Sequence, residues 1–423
     1  MKPQTSTITA RQIGHLKKFV HLLPLLKPLP GVGTERDSAG NRELHFDEYV
    51  IWVLLYLFNP MITSIRMLQD AASIDKLREQ LGVKRFSLGS FSESVRVFEP
   101  ERLKEVIHQL AGDLVPLQSD PRLKEHLKHV LTIVDGTVLN ALCTVAAAMW
   151  IPFMDGSRKH AWRLHTHFDV STLTPIEVEL TDARNSGKSD EKNVLRGKLK
   201  SDHCYVMDRW FGQFTLFNEI NRIASSYVCR IRENSVFEVI EERLLSDEAL
   251  QAGVVRDAVV RMGDSSKPEH RPDHLIRIVV IEAEPHEKRG GRKGKTAGHG
   301  NNGTIILATN LVDVPPEIIA LIYRYRWTIE TFFRFFKQVL GCRHLISQHV
   351  EGIEIQVYCA VIACMLINLW TGKKAGKHMV AMLTWYFMGI ASEADVQRFI
   401  DRPDNTGIKK RAKDELWKKL GVM

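Results

Sequence analysis

The spacing of apolar residues changes along the 423-residue chain, and each change predicts a different kind of secondary structure. Up to about residue 125, apolar residues recur every three or four positions, the interval that places side chains on one face of an α-helix. Turn residues such as Pro60 and Pro100 separate these stretches. A helical packing module is at least as good an interpretation as a small DNA-binding bundle. The predicted helices span residues 11–26, 47–58, 61–72, 90–98 and 101–113.

Short apolar runs alternate with helical stretches from residue 126 to residue 236. Two strand-like runs joined by a turn at Pro175 come early in this part. A strand pair followed by strands that alternate with helices predicts an α/β core with a mixed sheet. The predicted strands span residues 130–134, 162–170, 176–180, 204–207 and 227–231, and the predicted helices span 189–199 and 213–223.

The pattern changes again between residues 237 and 302. Strands rich in valine and isoleucine are predicted at 254–262 and 275–283, so we expect a strand-rich insertion outside the main sheet. The glycine-rich basic stretch at 288–303 cannot pack a core and is predicted to be a mobile loop. The core resumes with a strand at 304–309 and one long helix at 315–340. The predicted domains are a helical N-terminal domain at 1–125, an α/β core at 126–236 and 303–372, the insertion at 237–302, and a basic helical tail at 373–423.

Composition narrows the class of protein. Lysine and arginine outnumber aspartate and glutamate by 58 to 50, a formal charge of +8 that suits a polyanionic partner such as nucleic acid. The six cysteines form no CxxC pair, which favours reduced thiols in a cytosolic protein. We expect no signal peptide, because Pro24, Lys27 and Pro28 interrupt the early apolar stretch. The charge-free run at 355–372 is interpreted as a buried helix and not as a membrane span. The predicted location is therefore the cytoplasm.

Two aspartates follow apolar strand-like runs. Asp135 comes after residues 131–134, and Asp208 comes after residues 205–207. Ligands and catalytic groups gather at the carboxyl ends of strands in open α/β sheets. Either aspartate alone is weak support for a site, because such residues often only begin a turn.

A third set of polar residues lies on the long predicted helix. At about 100° per residue, Tyr323, Arg326, Glu330 and Lys337 fall within roughly 60° of one another. We call these four residues the polar stripe. The structural alternative is an amphipathic helix with an internal pair between Arg326 and Glu330, worth a few tenths of a kcal/mol. Trp327 lies beside the stripe, where it either stacks on DNA or packs in the core.

Three carboxylates on separate elements form the kind of ligand set that a pair of hard cations requires. Mg²⁺ and Mn²⁺ prefer oxygen ligands, and two such ions can activate an attacking oxygen and stabilise a leaving one in phosphoryl transfer. His165 and His167 also alternate on one predicted strand face. They have no third ligand at a recognisable spacing, so ordinary strand histidines are the favoured interpretation. Asp169 follows them as either a supporting acid or, more simply, a turn residue.

These residues resemble the signature of the DDE transposases. The order Asp135, Asp208, Glu330 is similar to the three acids of that family, and the polar stripe has the spacing Tyr-x2-Arg-x3-Glu-x6-Lys of its insertion-sequence-4-like branch. The sequences at 135–137 and 208–212 also resemble the contexts of the two aspartates. The resemblance covers residues 130–370.

The resemblance implies a ribonuclease-H-like fold with an inserted, mainly β subdomain. It implies that Asp135, Asp208 and Glu330 are catalytic and hold two Mg²⁺ or Mn²⁺ ions, and that the protein cleaves and rejoins transposon-end DNA as a homodimer. The polar stripe, Trp327 and Arg209 would then contact DNA. Some relatives stack a flipped base on a tryptophan before the glutamate helix, but this chain has no tryptophan between Trp210 and Trp327. Two alternatives stay open: a ribonuclease-H-like nuclease without strand transfer, and an inactive descendant that only binds DNA.

Overall fold

The computed structural model describes most of the chain between residues 42 and 402. Within these limits the gaps are 60, 115, 117–119, 141–148, 153–157, 185, 264–270, 283–302, 342–345, 348, 372–376 and 389. The predicted helix at 11–26, nearly all of the predicted loop at 288–303, and the end of the tail after residue 402 lie outside the described residues.

One ten-stranded mixed sheet organises the fold. In spatial order its strands are β2-β3-β1-β5-β6-β10-β9-β8-β7, and β4 also pairs with β3. The strands are β1 (Val130–Asn140), β2 (Met149–Pro152), β3 (Arg158–Asp169), β4 (Thr174–Asp182), β5 (His203–Met207), β6 (Ser226–Arg230), β7 (Phe237–Glu242), β8 (Val254–Met262), β9 (Ile276–Glu282) and β10 (Thr304–Thr309).

The centre of the sheet has the ribonuclease-H-like arrangement that the resemblance implied. β1 pairs antiparallel with β3 and β3 with β4, whereas β5 lies parallel to β1 and β6 parallel to β5. β1 and β5 read as continuous apolar runs because both of their faces are covered. Ile133 and Val206 enter the larger core on one face, and Val134 and Met207 enter a second core on the other.

Helices precede, connect and follow the strands. The N-terminal ones are α1 (Phe46–Phe58), α2 (Ile65–Ala72), α3 (Asp75–Leu81), α4 (Leu88–Ser94), α5 (Glu101–Asp113) and α6 (Pro121–His126). Between the strands lie α7 (Glu191–Arg196), α8 (Phe214–Arg222) and α9 (Asp247–Gln251). The last are α10 (Pro316–Arg324), α11 (Trp327–Gly341), α12 (Val350–Thr371), α13 (Lys377–Phe387) and α14 (Glu393–Asp401).

The N-terminal helices share their core with the sheet. Buried residues of α1, α5 and α12 belong to one cluster with those of β1, β3 and β4. By length and composition α12 could cross a membrane, but most of its apolar window is buried inside the protein. The buried-helix interpretation of this run is therefore confirmed. The predicted domain boundaries stay predictions, and the core runs across the first of them.

The predicted position of the insertion is wrong. The region is rich in strands, as expected, but β7, β8 and β9 do not lie outside the main sheet. β9 pairs with β10, which pairs with β6, so hydrogen bonding continues from the central strands to the edge strand β7. The apolar pattern identified β8 and β9 but not β7, whose side chains are mostly exposed. It also does not encode which strand edge each strand joins.

A buried ion pair fixes the approach to α10. Arg277 of β9 donates to both carboxylate oxygens of Asp257 on β8 at 2.7 Å, and the two residues are 2% and 3% exposed. The same guanidinium donates to the carbonyl oxygens of Leu311, Val312 and Val314. This arrangement satisfies the buried charge and holds the segment that leads into α10.

A second ionic cluster joins α5 to the sheet. Glu177 of β4 is buried and lies 2.9 Å from His108 of α5 and 3.2 Å from Lys198. Burial by itself would raise the pKa of Glu177, but the His108 hydrogen bond and the Lys198 ammonium outweigh it and lower that pKa to about 2. The cluster therefore stabilises the fold while Glu177 is ionised.

Candidate active site

The two predicted aspartates lie on neighbouring strands. The parallel ladder between β1 and β5 pairs Ile133 with Val206, and each aspartate comes two residues after its paired position. Asp208 follows β5 directly, as predicted. Asp135 does not end its strand, and that expectation is wrong. β1 continues to Asn140 because residues 136–140 keep pairing with β3.

Backbone N–H groups hold one oxygen of each aspartate. Oδ1 of Asp135 accepts a hydrogen bond from the N–H of Gly136 at 2.8 Å. Oδ1 of Asp208 accepts from the N–H of Trp210 at 2.8 Å and so caps the 3₁₀ turn Arg209–Phe211. The second oxygen of each carboxylate has no backbone donor among the described residues.

The long helix predicted at 315–340 is broken in two. The N–H of Arg326 bonds the carbonyl of Tyr323 three residues back, and both the N–H and the hydroxyl of Thr328 donate to the carbonyl of Tyr325. These short-range bonds replace the α-helical ladder between α10 and α11. The polar stripe is therefore not one helical face: Tyr323 lies on α10 and Arg326 in the break, while its last two members lie on α11. The opposite side of α11 is buried, as predicted.

The break places the Arg326 guanidinium between two of the three acids. Its nearest nitrogen atoms lie 3.2 Å from Oε1 of Glu330 and 3.8 Å from Oδ2 of Asp135. The Arg326 side chain is 13% exposed, and its Nε is buried without a hydrogen-bond partner in the described part of the chain. A buried guanidinium between carboxylates neutralises charge that would otherwise repel.

The pKa of Asp135 responds to both of the other acids. Burial raises the pKa of Asp135 to about 6, the negative charges of Asp208 and Glu330 push it in the same direction, and the Gly136 N–H and Arg326 oppose the rise. Neighbouring negative charges disfavour the ionised form of a carboxyl group. The structure thus brings residues that are far apart in sequence into one acidic cluster with an arginine inside it.

The cluster has the donor atoms that a hard divalent cation prefers. Its ligands would be oxygens of Asp135, Asp208 and Glu330, each of the aspartates already oriented by one backbone bond. Within the ranges described above, no group of three or more His, Cys, Asp or Glu side chains is placed to hold a metal ion. Arg326 supplies the positive charge at this position.

The other residues predicted to contact DNA surround the cluster at different depths. Tyr323 is buried, and the Arg326 guanidinium lies 5.9 Å from the centre of its ring. Trp327 is 48% exposed, with the same guanidinium 4.8 Å from its ring. Arg209 and Lys337 are exposed on the turn after β5 and on α11. The surface beside the acids therefore combines cations with an accessible aromatic ring.

Two contacts next to the aspartates were not predicted from the sequence: an ion pair and a cation–π contact. Arg163 of β3 forms an ion pair with Glu191 of α7, and a Cβ on Gly136 would meet both side chains at 3.4 Å. Lys192 of α7 lies 4.3 Å from the ring centre of Trp210, which is 49% exposed. Gly136, directly after Asp135, indicates that another group approaches the backbone closely there. The sequence spacing does not show that this group is the ion pair between β3 and α7.

The weaker metal candidates have ordinary roles. His165 bonds the hydroxyl of Thr181 at 2.8 Å, and burial lowers its pKa to about 4. His167 is buried, which lowers its pKa to about 3. Asp169 accepts from the N–H and hydroxyl of Ser171 in the turn after β3. The strand-histidine and turn-acid interpretations fit these contacts.

Comparison with known proteins gives the family. The transposase DDE domain family matches residues 126–366, which is more than half of the chain. A Sinorhizobium fredii protein named as a transposase, y4zB, is 24% identical over 269 residues, covering 63% of this chain and 66% of that protein. The transposase for insertion sequence element IS421 of Escherichia coli is 23% identical over 263 residues, covering 56% and 65%. The chain thus spans just under two thirds of the length of these relatives.

A solved structure, the piggyBac transposase synaptic complex with hairpin DNA, aligns over 97% of this chain and 86% of that chain, with a TM-score of 0.42 and 11% identity. The family match covers all of β1 to α11 and therefore the three acids and the arginine between them. The chain belongs to the DDE transposase family.

Proposed function

We propose that this protein is a DNA transposase that binds transposon ends and catalyses metal-dependent strand cleavage and strand transfer. One observation carries the proposal. Within the matched DDE domain, Asp135, Asp208 and Glu330 form one electrostatically coupled cluster on three separate elements, with Arg326 inside it.

The acids would hold two Mg²⁺ or Mn²⁺ ions, because carboxylate oxygens are the donors that these ions prefer. As placed here the acids do not form a metal-binding group, so metal binding would require them to close on the position that Arg326 occupies. When bound, such ions activate the attacking oxygen and stabilise the leaving oxygen of a phosphodiester. The protein's own part is to orient the carboxylates through the Gly136 and Trp210 N–H groups and to keep the cluster partly buried. Low local polarity strengthens every charge interaction made there.

DNA would meet the cations around the cluster. Arg326 offers a planar fork and Lys337 a point charge for backbone phosphates, and Arg209 lies exposed beside Asp208. Trp327 presents an accessible ring to a sugar or base. The buried ring of Tyr323 and the ring of Trp327 both lie close to the Arg326 guanidinium. We further propose a homodimer that pairs two transposon ends, acting on nucleoid DNA in a bacterial cytoplasm.

The test is an end-cleavage and strand-transfer assay with the full-length protein. The inverted repeats that flank the reading frame in genomic DNA supply the ends. We expect the wild-type protein to cleave and join paired ends with Mg²⁺, and Asp135→Asn and Glu330→Gln to bind ends but not cleave them. Asp182→Asn is the matched control. Asp182 is the last residue of β4, and its carboxylate accepts a hydrogen bond from the Arg184 N–H in a local turn.

Each alternative predicts a different result in the same assay. Cleavage without joining would support a nuclease of the same fold. End binding without cleavage by the wild-type protein would support an inactive descendant. Full cleavage by Asp135→Asn would overturn the assignment of the acids.

A further inference from the structure

The hydroxyl of Thr166 lies unpaired in the core beside the candidate active site. Thr166 of β3 is completely buried, and its Oγ1 has no hydrogen-bond partner among the described residues. An unpaired buried hydroxyl is unfavourable, and valine would fill the same space without that penalty. Such a group in a native core calls for an explanation, and a role in a neighbouring functional site is one.

The strand register places this hydroxyl next to Asp135. Thr166 and Asp135 are direct partners in the antiparallel ladder, so their side chains leave the same face of the sheet with Cβ atoms about 5 Å apart. Two residues further along β3, Phe168 packs against Phe332 of α11, with ring centres 5.4 Å apart. The shared face is therefore the one covered by α11, the helix that carries Glu330.

The carboxylate of Asp135 is fixed at one oxygen only. Oδ1 accepts from the Gly136 N–H at 2.8 Å, whereas Oδ2 has Arg326 at 3.8 Å, which is too long for a direct hydrogen bond. The Nε of Arg326 also has no acceptor in the described part of the chain. Two buried donors, Thr166 Oγ1 and Arg326 Nε, therefore lack acceptors among the described residues, and both belong to residues that neighbour Asp135.

We infer that Thr166 is a positioning residue for Asp135. When DNA engages the site and Arg326 turns towards a phosphate, the Thr166 hydroxyl donates to Oδ2 of Asp135 and fixes the carboxylate in one orientation. Supporting hydrogen bonds of this kind set the geometry of acidic ligands. The inference rests on the proposed function, and it adds a residue outside the family signature.

The test compares Thr166→Val with Thr166→Ser in the full-length protein. We expect Thr166→Val to keep the wild-type melting temperature or exceed it, and to bind end DNA as tightly as wild type. Its cleavage rate with saturating DNA, and its Mn²⁺ affinity measured by electron paramagnetic resonance in the presence of end DNA, should each fall by roughly tenfold or more. Without DNA its Mn²⁺ affinity should match that of wild type, because the hydrogen bond is not yet formed. Thr166→Ser keeps the hydroxyl and should restore both the cleavage rate and the Mn²⁺ affinity with end DNA.

Thr132→Val is the matched control. Thr132 is equally buried on β1, but its hydroxyl already bonds His203 at 2.7 Å. This variant should lose stability and keep the Mn²⁺ affinity and the cleavage rate of its folded fraction. Wild-type Mn²⁺ affinity and cleavage in Thr166→Val, both measured with end DNA, would overturn the inference, and so would a serine variant that fails like valine. If the wild-type protein itself does not cleave ends, the proposed function fails, and the Mn²⁺ affinities still decide the role of Thr166.

Discussion

Replacing Asp135 with asparagine is expected to make the protein more stable while removing its catalysis. The carboxylate is largely buried near two other acids, and neither Arg326 nor the Gly136 N–H offsets this environment, so its pKa is raised to about 6. Ionised Asp135 therefore opposes folding at neutral pH. Asparagine has the same shape and keeps an oxygen for the Gly136 N–H.

The size of the effect follows from the pKa. A rise from the ordinary value of 3.8 to about 6 corresponds to about 3 kcal/mol of unfolding free energy, at about 1.4 kcal/mol for each tenfold change. The side chain is 23% exposed, so solvent screens part of this interaction. We expect Asp135→Asn to raise the free energy of unfolding by about 1–3 kcal/mol at neutral pH.

The stability that Asp135→Asn gains over wild type should increase as the pH rises. Below pH 3.8 the carboxyl is protonated in both the folded and the unfolded state, so asparagine brings no advantage. Between pH 3.8 and about 6 the unfolded state releases its proton first, and wild-type stability falls relative to the variant. Above pH 6 the difference is complete and constant.

The assay is denaturant unfolding of both proteins in EDTA, repeated from pH 4 to pH 8. EDTA removes divalent ions, which would stabilise the wild-type acids. A variant less stable than wild type at neutral pH, or a difference that does not change with pH, would refute the reasoning. Either result would mean that favourable contacts, and not repulsion and burial, dominate the free energy of Asp135.

Three further predictions concern charges elsewhere. Arg326→Ala and Lys337→Ala should each remove about one phosphate contact and so lower the slope of log affinity against log salt for end DNA by about 0.9. The ratio of wild-type to variant affinity should then change about 3.5-fold between 50 and 200 mM salt, which fluorescence anisotropy measures. Lost stability with an unchanged slope would support a purely structural role for Arg326. Asp257→Ala should lower the free energy of unfolding by about 3–5 kcal/mol in a urea titration, because Arg277 would stay buried without its carboxylate. Glu177→Gln should lower the free energy of unfolding by about 1–2 kcal/mol at neutral pH. This difference from wild type should shrink as the pH falls from 4.5 towards 2, where wild-type Glu177 takes up its proton. A difference that stays the same in acid would contradict stabilisation by ionised Glu177.

Several elements could be predicted from local pattern alone. β8 and β10 have the predicted bounds, and α5 matches the predicted helix at 101–113. In each, apolar spacing and nearby turn residues agree, and burial follows that spacing. The candidate acids could likewise be proposed from the ends of apolar runs and from helical spacing, although β1 continues past Asp135.

Other features depended on backbone hydrogen bonds that apolar spacing does not report. The break before α11 comes from Thr328 donating to the Tyr325 carbonyl, which competes with the helical ladder in a stretch whose spacing still reads as one helix. The extension of β1 past Asp135 comes from pairing with β3. Neither competitor is visible in apolar periodicity, because periodicity reports which side is buried and not which partner a backbone group finds.

The sequence by itself determined the residue types at the site, their order, the α/β class and the buried character of α12. Only the tertiary structure decided that Arg326 lies between Asp135 and Glu330, that Thr166 faces Asp135 without a partner, and that β7 to β9 extend the main sheet. The physical reason is range. Helical and strand periodicity arise within a few residues, whereas strand order, ladder register and the placement of a charge depend on which surfaces meet after the chain has folded.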